Sequence, residues 1–398
     1  MKEGQGLKIL YLGYFCTEEL FLELSSKDKD FSIAAHKYET QLLSNLAKVV
    51  DPANVKVLSI LSYMDEGTER KEKDSFCGLD LSYVWKKRGG TIPSFSTFKA
   101  VRKQVKEWLR AVKGEECIVL TYATNFALLS PFLFGKKKVK IVTICSEIPQ
   151  YRILTGSKIQ RWLKKTINTT LNNRMDGYVF FSKYMNEKTN PRKKPYITVE
   201  GLPDIRIEEE QINQKERREQ IFYAGYLIPE NGIETLLDAF MQMRHTNVDL
   251  VLCGSGSSVE KIQQCAEKCD RIKYMGSLPN SEILTLERNA TLLINPRKAD
   301  HLLTRYSFPS KTFEYFSSGT PAILTKLEGI PEEYYEYCYT CDSTDAQILA
   351  SNLDEVLDIP FETRLKKAVE AFRFVKENKS APAQVQRIVN FLNEVGNS

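Results

Sequence analysis

Arg297, Lys298, Arg305 and Lys311 precede one acid, Glu314, in the stretch NPRKADHLLTRYSFPSKTFEYFSSGTP. Basic side chains spaced along the end of a strand and the loop feeding the next helix suit a diphosphate. The same charges also fit a solvated surface loop. The proline of NPR, the aromatic residues Tyr306 and Phe308 around Ser307, and Pro309 before Ser310 favour a loop held in one shape, which makes the better anion site. Glu314 stands between Phe313 and Tyr315. On a helix that merely packs, its carboxylate points outward; turned toward a ligand, it accepts hydrogen bonds from the two hydroxyls of a ribose. Spacing alone does not choose. Upstream, Gly254 and Gly256 follow a strand-like run and precede a helix, so their amides either face an anion or simply make a tight turn.

Elements must hold these residues. The 398 residues exceed what one core usually contains, and with 42% hydrophobic and 27% charged residues the chain has the composition of a globular protein of two domains. A net charge of +5 is too mild to indicate a nucleic-acid binder. Buried-strand runs LKILYLGYF, VKVLSILSY, CIVLTYA, VKIVTIC and DGYVFFS alternate with amphipathic stretches, predicting a doubly wound α/β half. The charged run IRIEEEQINQKERREQ reads as an interdomain connection. A second series from IFYAGYL to TPAILTK repeats the alternation, and the last forty residues read as helical. The domains expected are 1–204, 205–375, and a terminal helix, 376–398, packing back on the first.

Residues 117–135 are uncharged and long enough to raise a membrane span, but their polar residues and Pro131 favour a buried strand followed by a helix. Nine cysteines without a secretory pattern at the start predict reduced thiols and a cytoplasmic location. The pairs Cys265/Cys269 and Cys338/Cys341 are only half-sites for zinc, and no metal is expected. In SKIQRWLKKTINTTLNNR, the apolar residues Ile159, Trp162, Leu163 and Ile167 form a helical stripe edged by Lys158, Arg161, Lys164 and Lys165. Such a helix either lies on an anionic membrane surface or packs its stripe on the sheet.

The succession FYAGYLIPENGIETLLDAF, DLVLCGSGSS, IKYMGSLPNSEIL, ATLLINPR and YSFPSKTFEYFSSGTPAILTKLEGIPEEYYEY resembles the donor-binding half of family 4 glycosyltransferases of the GT-B fold. The likeness is greatest to those that build bacterial surface polysaccharides. It covers roughly residues 220 to 340 and extends more loosely to the rest. What the resemblance implies is two Rossmann-like domains facing across a cleft, a nucleoside diphosphate sugar in the second, and transfer with retention. Glu314 matches the second glutamate of the family signature and so implies ribose contact. The first glutamate falls at Tyr306, and where relatives carry arginine and lysine after the first strand this chain offers Tyr226 and Asn231. These departures move the phosphate-binding and leaving-group roles to Arg297 and Lys311, with amides near Gly225 and Gly256 assisting. Family analogy further places the base against Ser277 and Leu278, and the donor loop at Tyr306 to Ser310. On the acceptor side, relatives often place a histidine and an aspartate where Ser146 and Glu147 stand; Glu147 either orients the acceptor or makes a cap or ion pair. His36, placed ahead of a first-domain helix, contacts the acceptor or serves as a buried or capping residue.

The function expected is a retaining hexosyltransferase using a nucleoside diphosphate sugar, UDP favoured over GDP, and a lipid-linked saccharide acceptor at the inner membrane face. The alternatives are a catalytically silent GT-B partner of another enzyme and a nucleotide-sugar epimerase on the same architecture.

Overall fold

The computed structural model describes residues 6–27, 32–63, 70–87, 95–133, 139–148, 157–213, 218–299 and 302–398. Two compact units divide them: the first is Met1–Leu202 with Ala381–Ser398, the second Pro203–Ser380.

The first unit holds strands β1 (Lys8–Gly13), β2 (Val55–Tyr63), β3 (Lys73–Phe76), β4 (Leu79–Lys87), β5 (Cys117–Tyr122), β6 (Lys140–Cys145), β7 (Gly177–Phe180) and β8 (Tyr196–Thr198). Their spatial order is β3-β4-β2-β1-β5-β6-β7-β8. Every pairing is parallel except β3 with β4. Helices α1 (Glu18–Lys27), α2 (Ile33–Val49), α3 (Phe95–Ala111), α4 (Phe126–Leu133), α5 (Lys158–Asn172) and α6 (Met185–Thr189) complete it. The order reverses between β1 and β5, which pair from Lys8↔Cys117 to Leu12↔Thr121. Ile9, Leu10, Tyr11 and Leu12 are all buried, as continuous apolar runs require when both faces of a parallel sheet are covered.

The hairpin β3–β4 was not anticipated. Its turn is Cys77-Gly78, with φ of 51° and 81°, the two left-handed positions of a tight hairpin, and a cysteine in the first conceals the usual Asn-Gly signal. Residues 117–133 form β5 and α4, the strand and helix expected; among the described residues no helix is long and apolar enough to cross a membrane.

The second unit runs α7 (Glu210–Asn213), β9 (Arg218–Tyr226), α8 (Ile233–Phe240), β10 (Asp249–Ser255), α9 (Val259–Lys268), β11 (Ile272–Tyr274), α10 (Asn280–Asn289), β12 (Ala290–Asn295), α11 (Ser310–Ser318), β13 (Ala322–Thr325), β14 (Tyr339–Cys341), α12 (Ala346–Asp358) and α13 (Phe361–Asn378). The sheet is parallel throughout, in the order β11-β10-β9-β12-β13-β14, reversing between β9 and β12.

Two boundaries differ from expectation. The charged run after residue 204 is no bare connection: Ile207 and Ile212 are buried with Leu365 and Phe372, and Glu209 and Glu208 pair with Arg373 and Lys376 of α13. Its isoleucines are too few to stand out as a helical stripe, yet they suffice to seat the segment on the second unit. The returning segment begins only at Ala381, as α14 (Ala381–Gly396), whose Val385, Ile388 and Leu392 share a core with Leu42, Leu43 and Leu46 of α2.

Candidate functional sites at the switch points of the two sheets

In open α/β sheets the crevice for a ligand lies beyond the carboxyl ends of the strands where the order reverses. In the second unit that point is the end of β9 and β12, and two of the four basic residues strung along this stretch, Arg297 and Lys311, converge there. The field of both Lys311 and Arg297 acts on the buried Tyr223 of β9; it opposes burial, which pushes that phenol up. The Lys311 ammonium lies 5.2 Å from the centre of the Tyr223 ring and 6.0 Å from that of Tyr315. Both cations are half-buried, and loss of solvent lowers the Arg297 pKa from its ordinary value. Arginine still stays charged at any ordinary pH.

Lys311 is in the first turn of α11, where Pro309 occupies the cap position without a side-chain cap, so the helix start presents its own amides beside the ammonium. Its aliphatic stem runs over Gly225: a Cβ there would come within 2.7 Å of Lys311 Cε, and φ is 154°. Only glycine lets the lysine cross the end of β9 at that distance. Gly254 and Gly256 are demanded by backbone too, since side chains would strike the carbonyl oxygens of Gly225 and Leu227 at 1.9 and 2.1 Å. The tight-turn reading of this motif therefore has its physical cause, with the amides of Gly254 and Leu227 donating to Gly276 O and Ser255 O.

Glu314 is half-buried and three residues after Lys311 on α11, which sets it on the same side of the helix. Its neighbours Phe313 and Tyr315 are buried, and the Tyr315 hydroxyl donates to Ile294 O at 2.9 Å. Tyr226 is 63% exposed; Asn231 Nδ2 donates to its carbonyl at 2.7 Å. Ser277 is exposed beside Gly276, and Leu278 leans on the core. In the loop that leads into α11, Tyr306 is only 5% exposed. Phe308 packs into the core, its ring tilted against Phe313 and Tyr334 with ring centres at 4.8 and 5.2 Å. Ser307 lends its carbonyl to the close approach of Gly329, and Ser310 is exposed at the start of α11. Arg305 pairs with Glu328 at 3.3 Å.

The switch point of the first unit lies at the ends of β1 and β5, and a pocket of about 210 Å³ opens there. Tyr14, Thr124, Asn125, Ser146, Glu147 and Asn168 give it hydroxyl, amide and carboxylate groups. Asn125 caps α4, accepting from the amides of Ala127 and Leu128, and its Nδ2 donates to the Tyr14 hydroxyl at 2.7 Å. Ala123 holds a left-handed φ of 60°, a strained conformation for alanine that clusters at ligand sites. The family resemblance pointed to Ser146 and Glu147 here, and the sequence reading missed Tyr14, Asn125 and Asn168; the one available signal was an asparagine at a strand-to-helix junction, the position of a cap.

His36 is elsewhere. It lies inside α2, whose cap is Ser32, and not ahead of the helix. Its ring stacks on Phe21 at 3.8 Å and its Nε2 is 3.0 Å from Glu18, while burial lowers its pKa. The buried reading fits this geometry. On α5, Trp162 is 63% exposed and Arg161 is exposed; the side chains of Lys158, Ile159, Leu163, Lys164 and Lys165 lie outside the described residues. All nine cysteines are free thiols, and the described residues contain no group of three or more His, Cys, Asp or Glu side chains able to hold a metal.

Residues 204–373 match the family model described as Glycosyl transferases group 1. A curated relative, the uncharacterized glycosyltransferase YqgM of Bacillus subtilis, is 27% identical over 160 residues, 38% of this chain and 41% of that protein, so the match spans about two fifths of the relative's length. Among solved structures, Anabaena Alr3699/HepE in complex with UDP superposes with a TM-score of 0.62 at 14% identity, over 98% of this chain and all of that one. A trehalose-6-phosphate protein of E. coli bound with UDP-2-fluoro glucose gives 0.65 at 10%, over 98% and 99%. Sucrose-phosphate synthase of Thermosynechococcus elongatus gives 0.61 at 15%, over the same shares. The chain has the GT-B fold, and its second unit carries the sequence pattern of the glycosyl transferases group 1.

Proposed function

We propose that this protein is a retaining glycosyltransferase of family 4 type that moves a hexose from a nucleoside diphosphate sugar, UDP before GDP, to a saccharide acceptor. The observation that carries the reading is the meeting of Lys311, Arg297 and the uncapped start of α11 at the end of β9. Two cations and a helix start fixed at one point stabilise a diphosphate as it leaves, without a metal. Glu314, on the same side of α11, receives the ribose hydroxyls; amides near Gly225 and Gly256 help hold the phosphates; Ser277 and Leu278 flank the base. The solved neighbours crystallised with UDP or a UDP-sugar support the choice of nucleotide.

The first-unit pocket takes the acceptor. Among the described residues its lining is hydroxyls, amides and the Glu147 carboxylate, groups that hydrogen-bond the hydroxyls of a sugar ring. At about 210 Å³ it is smaller than the ~300–1,000 Å³ of pockets for drug-sized ligands, in keeping with a single ring. An exposed Trp162 beside Arg161 favours an acceptor on a lipid carrier, met at the cytoplasmic face of a membrane during polysaccharide synthesis.

A second reading, a catalytically silent partner, draws on one observation: the position of the family's first glutamate is a buried tyrosine, Tyr306. Thermal unfolding with UDP, GDP and their sugar conjugates separates the two, because a ligand of the folded state raises the midpoint. Stabilisation by one nucleotide, lost in Glu314→Ala and Lys311→Ala, supports the enzyme; no response to any of them favours the silent partner.

A further inference from the structure

Among the buried carboxyls that this account leaves over, one lies beside the first-unit pocket. Glu39, on α2, is 1% exposed and lies under the turn that leaves β1. Its Oε1 accepts from the Tyr11 hydroxyl at 2.8 Å and from the Tyr14 amide at 2.9 Å, and the Phe15 amide donates to the same carboxyl. Gly13 makes room for it, since a Cβ there would stand 2.2 Å from Oε1. The turn that Glu39 gathers is the one that carries Tyr14 to the wall of the first-unit pocket, where its hydroxyl meets Asn125.

We infer that Glu39 is a positioning residue, whose carboxylate pins the turn after β1 so that the Tyr14 hydroxyl stands fixed against Asn125 in the acceptor pocket. A carboxylate accepts every donor this turn offers; a carboxylic acid carries one donor of its own and must give up or weaken one of those bonds. Burial pushes the Glu39 carboxyl up to about 7, against the pull of the Tyr14, Tyr11 and Phe15 hydrogen bonds, so the exchange falls near neutral pH. The titratable groups that crowd this carboxyl are Tyr11 from β1, Cys16 from the turn and Tyr38 from α2, with Tyr122 from β5 beside the two phenols. Tyr11, Cys16 and Tyr38 are all pushed upward, Cys16 to about 12, and stay protonated through this range. The pocket is therefore ordered above pH 7 and loosened below it.

The role in acceptor binding rests on the function proposed above; the state of the turn does not. Hydrogen exchange of the intact chain, read on peptides covering residues 13–17 and 123–126 at pH 6 and 8 and corrected for intrinsic rates, tests the latch without any ligand. Wild type is expected to show about tenfold greater protection of the turn at pH 8 than at pH 6, the scale of one hydrogen bond to a charged group. Glu39→Gln keeps the shape, loses the pH response and stays at the less protected level. Tyr14→Phe, with the carboxylate intact, retains the pH response at residues 13–17 and loses protection at 123–126. UDP-induced thermal stabilisation, read in parallel, belongs to the second unit and stays unchanged in both variants. An absent UDP response in wild type would sink the nucleotide-sugar reading while leaving the latch to stand on exchange alone. Once turnover is measurable, both variants raise the acceptor KM about tenfold with the donor KM unchanged, and only Glu39→Gln flattens the pH profile. Equal protection of the turn in wild type and Glu39→Gln at pH 8, or a pH response that survives in Glu39→Gln, overturns the inference.

Discussion

Substituting Glu39 by glutamine should change how the stability of the first unit depends on pH, and the sign follows from the direction of the shift. The carboxyl has an ordinary value of 4.5 and a folded value of about 7, so between these limits the folded state binds the proton that the unfolded state has released. Its stabilising contribution is complete below pH 4.5 and is lost as pH rises through 7. At about 1.4 kcal/mol per pH unit of displacement, the loss is about 3 kcal/mol. His36 works in the opposite sense: burial lowers its pKa, so its neutral form favours the folded state increasingly as pH rises toward 6.5 and above. The bare wild-type profile mixes the two. The comparison with Glu39→Gln cancels His36, which is unchanged in both proteins. A two-domain chain need not unfold in one step, so the assay is hydrogen exchange on the slowest amides of β1 and α2, which report opening of this unit. From pH 5 to pH 8 the protection of wild type relative to Glu39→Gln should fall about a hundredfold, the equivalent of that 3 kcal/mol. A ratio that stays level refutes the raised value. One that climbs means that the hydrogen bonds from Tyr11, Tyr14 and Phe15 outweigh burial, and that the carboxyl ionises below its ordinary value.

Three further outcomes concern the second unit. Lys311→Ala should lower turnover by two to three orders of magnitude, the scale of losing one preorganised electrostatic group, with the melting temperature nearly unchanged; an unaltered rate removes Lys311 from the site. Gly225→Ala places a methyl against Lys311 and strains the backbone at a φ of 154°, so the melting temperature should fall by a few degrees, at a cost of about 1–3 kcal/mol, while UDP affinity falls about tenfold by titration calorimetry. Wild-type affinity there would mean that the route of Lys311 over β9 does not matter to the nucleotide. Tyr306→Glu restores the acid of the family pattern, but at a position only 5% exposed. It should lower the melting temperature by about 5 °C or more without raising turnover, and a gain in rate at unchanged stability would show that the buried tyrosine conceals a working donor contact.

The two switch points were unequally legible, and charge is the reason. In the second unit the chemistry proposed above rests on Arg297, Lys311 and Glu314, residues whose types stand out when spaced along a strand end and a helix start, and the fold brings the field of the two cations to one tyrosine. Tyr223 itself was invisible, being one more aromatic residue in a buried strand. The alternation of apolar runs and amphipathic stretches revealed both parallel sheets because a strand covered on both faces has no polar position to interrupt it. It missed the β3–β4 hairpin, whose β3 is only four residues long and carries surface charge, and it read the isoleucines around α7 as linker.

In the first unit the described lining of the pocket is neutral apart from Glu147, and neutral hydrogen-bonding residues carry no signal by type: Tyr14, Asn125 and Asn168 resemble turn and helix-surface residues anywhere. Glu39 is harder still. On α2 it looks like a solvated acid, and its burial follows from tertiary packing, which sets the turn after β1 on top of it with Gly13 leaving the space. A buried carboxyl that made no bond to the turn would be a pure cost that an apolar side chain would avoid. This one gathers three donors from Tyr11, Tyr14 and Phe15 and passes their order on to Asn125 through a single tyrosine. The carboxyl that destabilises the folded unit above pH 7 is thus the group that orders the pocket there, so Glu39→Gln should stabilise the unit, relative to wild type, most at the pH where it most disorders the site. Stability and acceptor binding moving in the same direction with pH would break that link.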